Sequence, residues 1–419
     1  MNKIFYHYPN DVDNLNAGIE VRNEDEMSDD ELNLIRQAKL DNIAPIEAWT
    51  ALGTNNQVNY STHGLFRYFG KFPSTIGAHL IMQYTKEYDY VMDPMGGSGT
   101  TALECLLSNR NCFSYDINPL SVLLTKVKTT RVERNLLENE LKFIVDNYKP
   151  LNVEEFDWVP EGIKDVDHWF LKETQDSIRG LIYLINKIKN NDTKDFFIIC
   201  LASCIRTISK ATSQQGRLFL DVKSAKEDGL ETFVKKAKKA IELVSELPEK
   251  KVQLNINIHN ASEPIDVKNC DLIICHPPYF NSYKYSSVNS LELSWMKINH
   301  ANVRKNEIHE FFKVGKAQNV TRYVEDMEIV LTNIAKSLKE NGTLGLMMGD
   351  TIIKNEYIPT TKMTIEKFLK SNLNIVVEKV ILRVPKYTEA SWTTSQRRNS
   401  EKVGITLNDF IIIFRRVSK

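Results

Sequence analysis

One turn constrains this chain more than any other feature. In YDYVMDPMGGSGTTALECLL, Tyr88 to Leu107, an apolar run stops at Asp93-Pro94, then come Gly96, Gly97 and Gly99, and a helix-forming stretch follows. Glycines at such a turn let backbone N–H groups approach a ligand closely. The next segment repeats the logic: CFSYDI reads as a second strand ending in Asp116, and PLSVLLTKVKT as a second helix. Strand, glycine loop, helix, strand, acid, helix is the opening of a doubly wound parallel sheet, so an α/β Rossmann-like fold is expected.

The alternation then breaks. Residues 131–250 hold four helical stretches (RNLLENELKFIVDNY, DSIRGLIYLINKIKN, TKDFFIICLASCIRTISKAT and LETFVKKAKKAIELVSEL) and no convincing strand, which predicts an all-helical insertion. Strand patterns resume at VQLNINIHNAS, CDLIICHPPY, TLGLMMGDT, NIVVEKVILRV and DFIIIFRR, with a helix, VEDMEIVLTNIAKSLKENG, expected to end at Gly342. The sequence therefore divides into an N-terminal extension (1–60), a catalytic domain in two pieces (61–130 and 251–419) and the insertion (131–250) as a candidate target-recognition region. In the extension, MSDDELNLIRQ has Ser28 or Asp29 placed to cap a helix, and Ser74 stands at the head of another.

Composition narrows the class. The 419 residues carry 54 Lys+Arg and 54 Asp+Glu, so the chain as a whole lacks a nucleic-acid charge signature and any such binding must use local patches. Six cysteines without a CxxC pair argue for reduced core thiols and against a zinc site, so no metal is expected. The N-terminus has no signal-peptide apolar region and no stretch suits a membrane span, so a cytoplasmic protein is expected.

The turn itself selects a ligand. No Gly-Lys-Ser/Thr follows, so it is not a phosphate-binding P-loop, and Asp93 would repel a pyrophosphate. Asp93 suits a cationic or hydroxylated group, and Asp116 stands where an acid grips a ribose diol. An adenosyl group with a positively charged amino-acid tail satisfies both, and S-adenosylmethionine is such a ligand.

Two motifs then carry a resemblance. DPMGGSGTT (Asp93, Pro94, Met95, Gly96, Gly97, Ser98, Gly99, Thr100, Thr101) resembles the cofactor loop of amino-group DNA methyltransferases, with Met95 for the usual Phe. DLIICHPPYF resembles their catalytic motif, Asp/Asn/Ser-Pro-Pro-aromatic, with His276 in the polar position. The resemblance, which runs over about residues 60–417, implies S-adenosylmethionine held by the loop, by Asp116, Ile117 and Asn118, and by Lys71, Phe72 and Pro73 at its methionine end. It implies a catalytic tip of His276, Pro277, Pro278 and Tyr279: a polar acceptor and the Pro277 carbonyl hold a base amine, and Tyr279 stacks on the base. A neutral imidazole has one acceptor and a protonated one has none, so turnover is expected to fall as pH drops through the His276 pKa between neutral and mild acid.

The flanks sharpen the likeness. HPPYFNSYKYSSVNSLELSWM is similar to a subgroup reading Ser-Pro-Pro-Tyr-x-Asn-x-x-x-Tyr followed by Leu-Glu-Leu-x-Trp, and a Tyr-x-x-Asp-Met helix and a Gly-Asp strand end follow in turn. Members of that subgroup are mostly cytosine-N4 enzymes, with adenine-N6 as the alternative. An RNA base methyltransferase and a non-catalytic DNA-binding subunit stay open as further alternatives. Double-stranded DNA is the implied partner, with a cognate restriction endonuclease beside it. Candidate DNA contacts are Asn281 and Tyr285 after the tip, Arg206, Lys210 and Arg217 in the insertion, and Arg397 and Arg398 in a C-terminal arm.

Overall fold

The computed structural model describes residues 2–6, 17–214, 217–221, 228–280, 285–308, 318–353, 356–371, 373–385 and 408–418. Its strands in chain order are β1 (Asn2–Phe5), β2 (Gly18–Asn23), β3 (Ile46–Leu52), β4 (Tyr90–Asp93), β5 (Asn111–Asp116), β6 (Ala211–Gln214), β7 (Arg217–Leu220), β8 (Leu254–Ile258), β9 (Cys270–Cys275), β10 (Leu338–Met348), β11 (Thr351–Ile353), β12 (Glu356–Ile358), β13 (Ile375–Arg383) and β14 (Phe410–Arg416). Ten of them form one sheet of order β1-β2-β3-β13-β14-β10-β9-β4-β5-β8.

The run β10-β9-β4-β5-β8 is parallel throughout. Chain order reverses between β4 and β9, where the sheet winds one way through β5 to β8 and the other way through β10. A doubly wound sheet opens its ligand crevice outside the carboxyl ends of the strands at this reversal. The glycine loop leaves β4 and the His-Pro-Pro-Tyr tip leaves β9, so both face the same crevice. Strand β14 runs antiparallel to β10 and β13, closing the far half of the sheet. The expected α/β Rossmann-like architecture is the observed one.

The insertion supplies the expected helices, Arg134–Asn147, Lys172–Ile185, Asn191–Ile208 and Gly229–Ser245, and also a short hairpin, β6 with β7. It is therefore not all-helical: polar ATSQ and short RLFL are too brief to show strand periodicity in sequence. Its core, including Leu137, Ile178, Phe196, Phe197 and Phe233, is continuous with Leu120 and Leu124 of the helix after β5 and with Leu291 and Trp295 beyond the tip. The insertion thus packs directly beside the crevice.

The N-terminal extension lengthens the sheet. Strand β3 pairs parallel to β13 and antiparallel to β2, and Trp49 on β3 is fully buried. Ser28 caps Asp29–Gln37 in a reciprocal capping box with Glu31. At the other helix head the cap is Pro73, and the Ser74 hydroxyl instead donates to the Val58 carbonyl at 2.5 Å. The helix Gln318–Ala335 stops before Gly342, which lies inside β10. There Asn341 has φ +60°, the β9 register shifts, and a Cβ on Gly342 would meet the Cys270 carbonyl at 3.0 Å. That glycine serves a strand irregularity, not a helix end. All six cysteines are free and buried, and among the described residues no helix is long and apolar enough to cross a membrane.

Candidate active site

The glycine loop is stitched to the end of β5. Gly96 N–H donates to the Tyr115 carbonyl at 2.7 Å, Gly97 N–H to Asp116 Oδ2 at 2.8 Å, and Asn118 N–H to Asp116 Oδ1 at 2.8 Å. Gly99 has φ +74° and lies so close to Thr125 that a Cβ would fall 2.6 Å from its hydroxyl, so the helix Thr100–Leu107 can start only from glycine here. Behind the loop, the buried Lys128 amine donates to the Ser98 carbonyl at 2.7 Å. Asp93 is buried beneath the turn and accepts from Met95 N–H at 3.1 Å. Burial pushes its carboxyl up to about 7. It is a brace for the turn and not the cavity-facing acid expected from its position.

One cavity runs along the crevice. Of the residues expected at the cofactor, Lys71, Phe72, Pro94, Met95, Gly96, Gly97, Ser98, Asp116, Ile117 and Asn118 line it, whereas Pro73, Asp93, Gly99, Thr100 and Thr101 do not. Burial raises the Asp116 carboxyl to about 6, against the lowering effect of the Asn118 and Gly97 N–H groups. The Lys71 amine donates to Asn59 Oδ1 and to the His63 carbonyl, and burial lowers it to about 8.

The tip enters the same cavity. Every residue of β9 is buried, so the strand is fixed from both faces and delivers His276 and Pro278 to the cavity wall. The His276 ring stands edge-on to Phe72, with centroids 5.4 Å apart. Its Nε2 lies 3.2 Å from the Tyr279 hydroxyl, which donates to Asp409 Oδ1 at 2.6 Å. Asp409 is paired in turn with the buried Arg383, whose Nε donates to Oδ2 at 2.5 Å. Burial is the largest influence on His276 and lowers it to about 4, so the ring is neutral at pH 7. The mild-acid loss of turnover expected from an ordinary histidine therefore shifts below pH 5. The Pro278 carbonyl is taken by the Tyr323 hydroxyl at 2.9 Å, while among the described residues none donates to the Pro277 carbonyl. Tyr279 is buried and does not line the cavity; Tyr285 does, beside Gly70.

Part of the chain is similar in sequence to known proteins. Residues 6–126 match the family model of N6/N4 DNA methylases. Over that segment the chain is similar to the N6/N4 DNA methylases. It is 29% identical over 152 residues to the type II methyltransferase M.MvaI of Kocuria varians, covering 33% of this chain and 32% of the relative. To the type II methyltransferase M.BsoBI of Geobacillus stearothermophilus it is 26% identical over 288 residues, covering 59% and 55%. To M.AvaI of Nostoc it is 23% identical over 261 residues, covering 56% and 53%. The chain spans about half the length, or less, of these curated relatives.

The cofactor of an N6/N4 methylase is S-adenosylmethionine, and the cavity fits it. Two carboxylates, Asp116 and Glu307, line the one space. Glu307 Oε1 accepts from Ser286 N–H at 2.9 Å, but its Oε2 is buried with no hydrogen-bond partner among the described residues. The unpartnered Glu307 Oε2, with the Asp116 carboxylate beside the same space, suits a ligand bearing ribose hydroxyls and an ammonium group. His259, Asn260 and Ala261, just past β8, complete the wall. Sequence reasoning passed over them and Glu307. The crevice rule for strand ends would have flagged the residues after β8, since β8 lies next to β5. Glu307 follows no motif and had no signal.

The expected DNA contacts separate. Arg206 is engaged within the protein: it pairs with the buried Glu292 at 2.8 Å, donates to the Val288 carbonyl at 2.7 Å and lies over the Phe69 ring. It is a brace between the insertion and the tip, not a phosphate ligand. Lys210 is at the surface with its amine on the Asp167 carbonyl at 2.8 Å. Arg217 begins β7, with its backbone alone described. Asn281, Arg397 and Arg398 lie outside the described residues.

Proposed function

We propose that this protein transfers a methyl group from S-adenosylmethionine to the exocyclic amino group of a base in double-stranded DNA, with cytosine N4 as the target. One observation carries the reading: the glycine loop with Asp116, and His276 and Pro278 of the tip, wall the same cavity, and the histidine there is neutral. When bound, the cofactor supplies an electrophilic methyl on its sulfonium. The remaining work belongs to the chain. Gly96, Gly97 and Asp116 would hold the adenosyl part, with Glu307 available to the ammonium. An amine conjugated with a base ring is a poor nucleophile because its lone pair is delocalised. His276, as acceptor, and the Pro277 carbonyl would each take one N–H bond, drawing the nitrogen toward a tetrahedral shape. Tyr285 offers an aromatic face to a base turned out of the duplex, a role the sequence had suggested for Tyr279.

The flanking motifs favour cytosine, by their resemblance to the Ser-Pro-Pro-Tyr subgroup. Because the relatives are named type II methyltransferases, we place the chain beside a cognate restriction endonuclease. The test is incubation with isotope-labelled cofactor and duplex DNA, and in parallel with transfer RNA, then mass spectrometry of the nucleosides. Labelled N4-methylcytosine is expected. Labelled N6-methyladenine would move the target to adenine, and label on transfer RNA with none on DNA would overturn the reading.

A further inference from the structure

The histidine at the tip is held by a chain of groups that no motif predicts. We propose that Asp409, acting through the Tyr279 hydroxyl, fixes His276 as the tautomer that is protonated at Nε2, so that Nδ1 is the acceptor offered to the target amine. Asp409 is ion-paired with the buried Arg383, and its carboxylate oxygens accept hydrogen bonds. The phenol 2.6 Å away must therefore spend its single proton on Asp409 Oδ1. Its oxygen is then an acceptor toward His276 Nε2 at 3.2 Å, which must carry the ring proton. A neutral imidazole has one proton, so Nδ1 keeps the lone pair, and among the described residues it has no partner. Tyr279 and Asp409 are positioning residues, which act on the base only through the ring. This answers what a histidine needs that serine or asparagine does not: those side chains carry an oxygen acceptor in any state, whereas imidazole must be told which nitrogen bears the proton. The consequence for turnover rests on the methyl-transfer reading; the tautomer is a property of the resting protein.

The experiment uses the full chain labelled with ¹⁵N-histidine, in wild type, Tyr279→Phe and Asp409→Asn forms, with His276 assigned by its absence from a His276→Asn form. In wild type the His276 ring is expected to show a protonated Nε2 and a bare Nδ1. Tyr279→Phe keeps the ring packing but removes the acceptor, so a mixture of tautomers is expected and turnover falls by about tenfold, the low end of the loss when a metal-ligating histidine loses its orienting partner, with cofactor KM unchanged. Asp409→Asn, which can donate to the phenol, serves as the second variant and is expected to shift the mixture toward Nδ1–H. A wild-type ring protonated at Nδ1, or a Tyr279→Phe ring that stays wholly Nε2–H, overturns the proposal. A fixed Nε2–H tautomer in a protein that methylates no nucleic acid upholds the tautomer and overturns the functional reading instead.

Discussion

At the scale of single residues, burial decides what His276 can do. The ring faces Tyr279, Asp409, Arg383 and Phe72, and loss of solvent is the dominant influence, lowering its pKa to about 4. Protonation would remove the acceptor, so kcat should stay level from neutral pH to about 5 and fall as pH drops through about 4. Asp116 behaves oppositely in sign: its pKa is raised to about 6, so it is an anion only above that pH. Cofactor KM should therefore rise as pH falls through about 6 while kcat still holds. A pH series that finds both parameters falling together near pH 6.5 would contradict this assignment. Gly99 is a second residue-scale case. Gly99→Ala must place a methyl group against Thr125 at φ +74°, and a loss of about 1–3 kcal/mol of stability is expected, read by chemical denaturation, together with weakened cofactor binding. The motif residues were legible because their types are unusual; Asp409 was not, because it stands 130 positions from Tyr279 and only the sheet brings them together.

At the scale of elements, the insertion is joined to the tip by a buried ion pair. Arg206, on the helix Asn191–Ile208, meets Glu292 on the helix Ser290–Trp295, and the carboxylate is 3% exposed. Arg206→Ala would leave Glu292 buried without its cation, at a cost of about 3–5 kcal/mol. A thermal melt of that variant should show a fall in Tm of several degrees, and a fall of under one degree would sink the idea. From sequence this arginine looked like a DNA contact because basic and polar residues cluster around it. Helical spacing says which face a residue shares, but not whether that face meets water or another element. The strand β10 teaches a related lesson. Its start at Leu338 was masked by a helix pattern running into LKENG, and pairing with Cys270 on β9 overrides that local preference.

At the scale of the whole molecule, the N-terminal segment is part of the sheet. Strand β3 covers the β13 edge, and Trp49 packs among Ile19, Ile76, Leu80 and Ile381. A chain beginning at residue 54 would expose that edge and empty that site, so it should associate in solution more than the full chain does, as sedimentation would show. A monomeric, fully active truncation would contradict this. By itself the sequence determined the α/β class, the glycine turn after β4 and the Pro-Pro end of β9, because such turns and strand ends are local chemistry that few other folds tolerate. Tertiary structure alone decided which candidates touch the cavity, that Asp93 and Arg206 are braces, that Glu307 and the residues after β8 join the wall, and that His276 is neutral. Those outcomes depend on burial and on partners far away in the chain, and one-dimensional spacing carries no record of either.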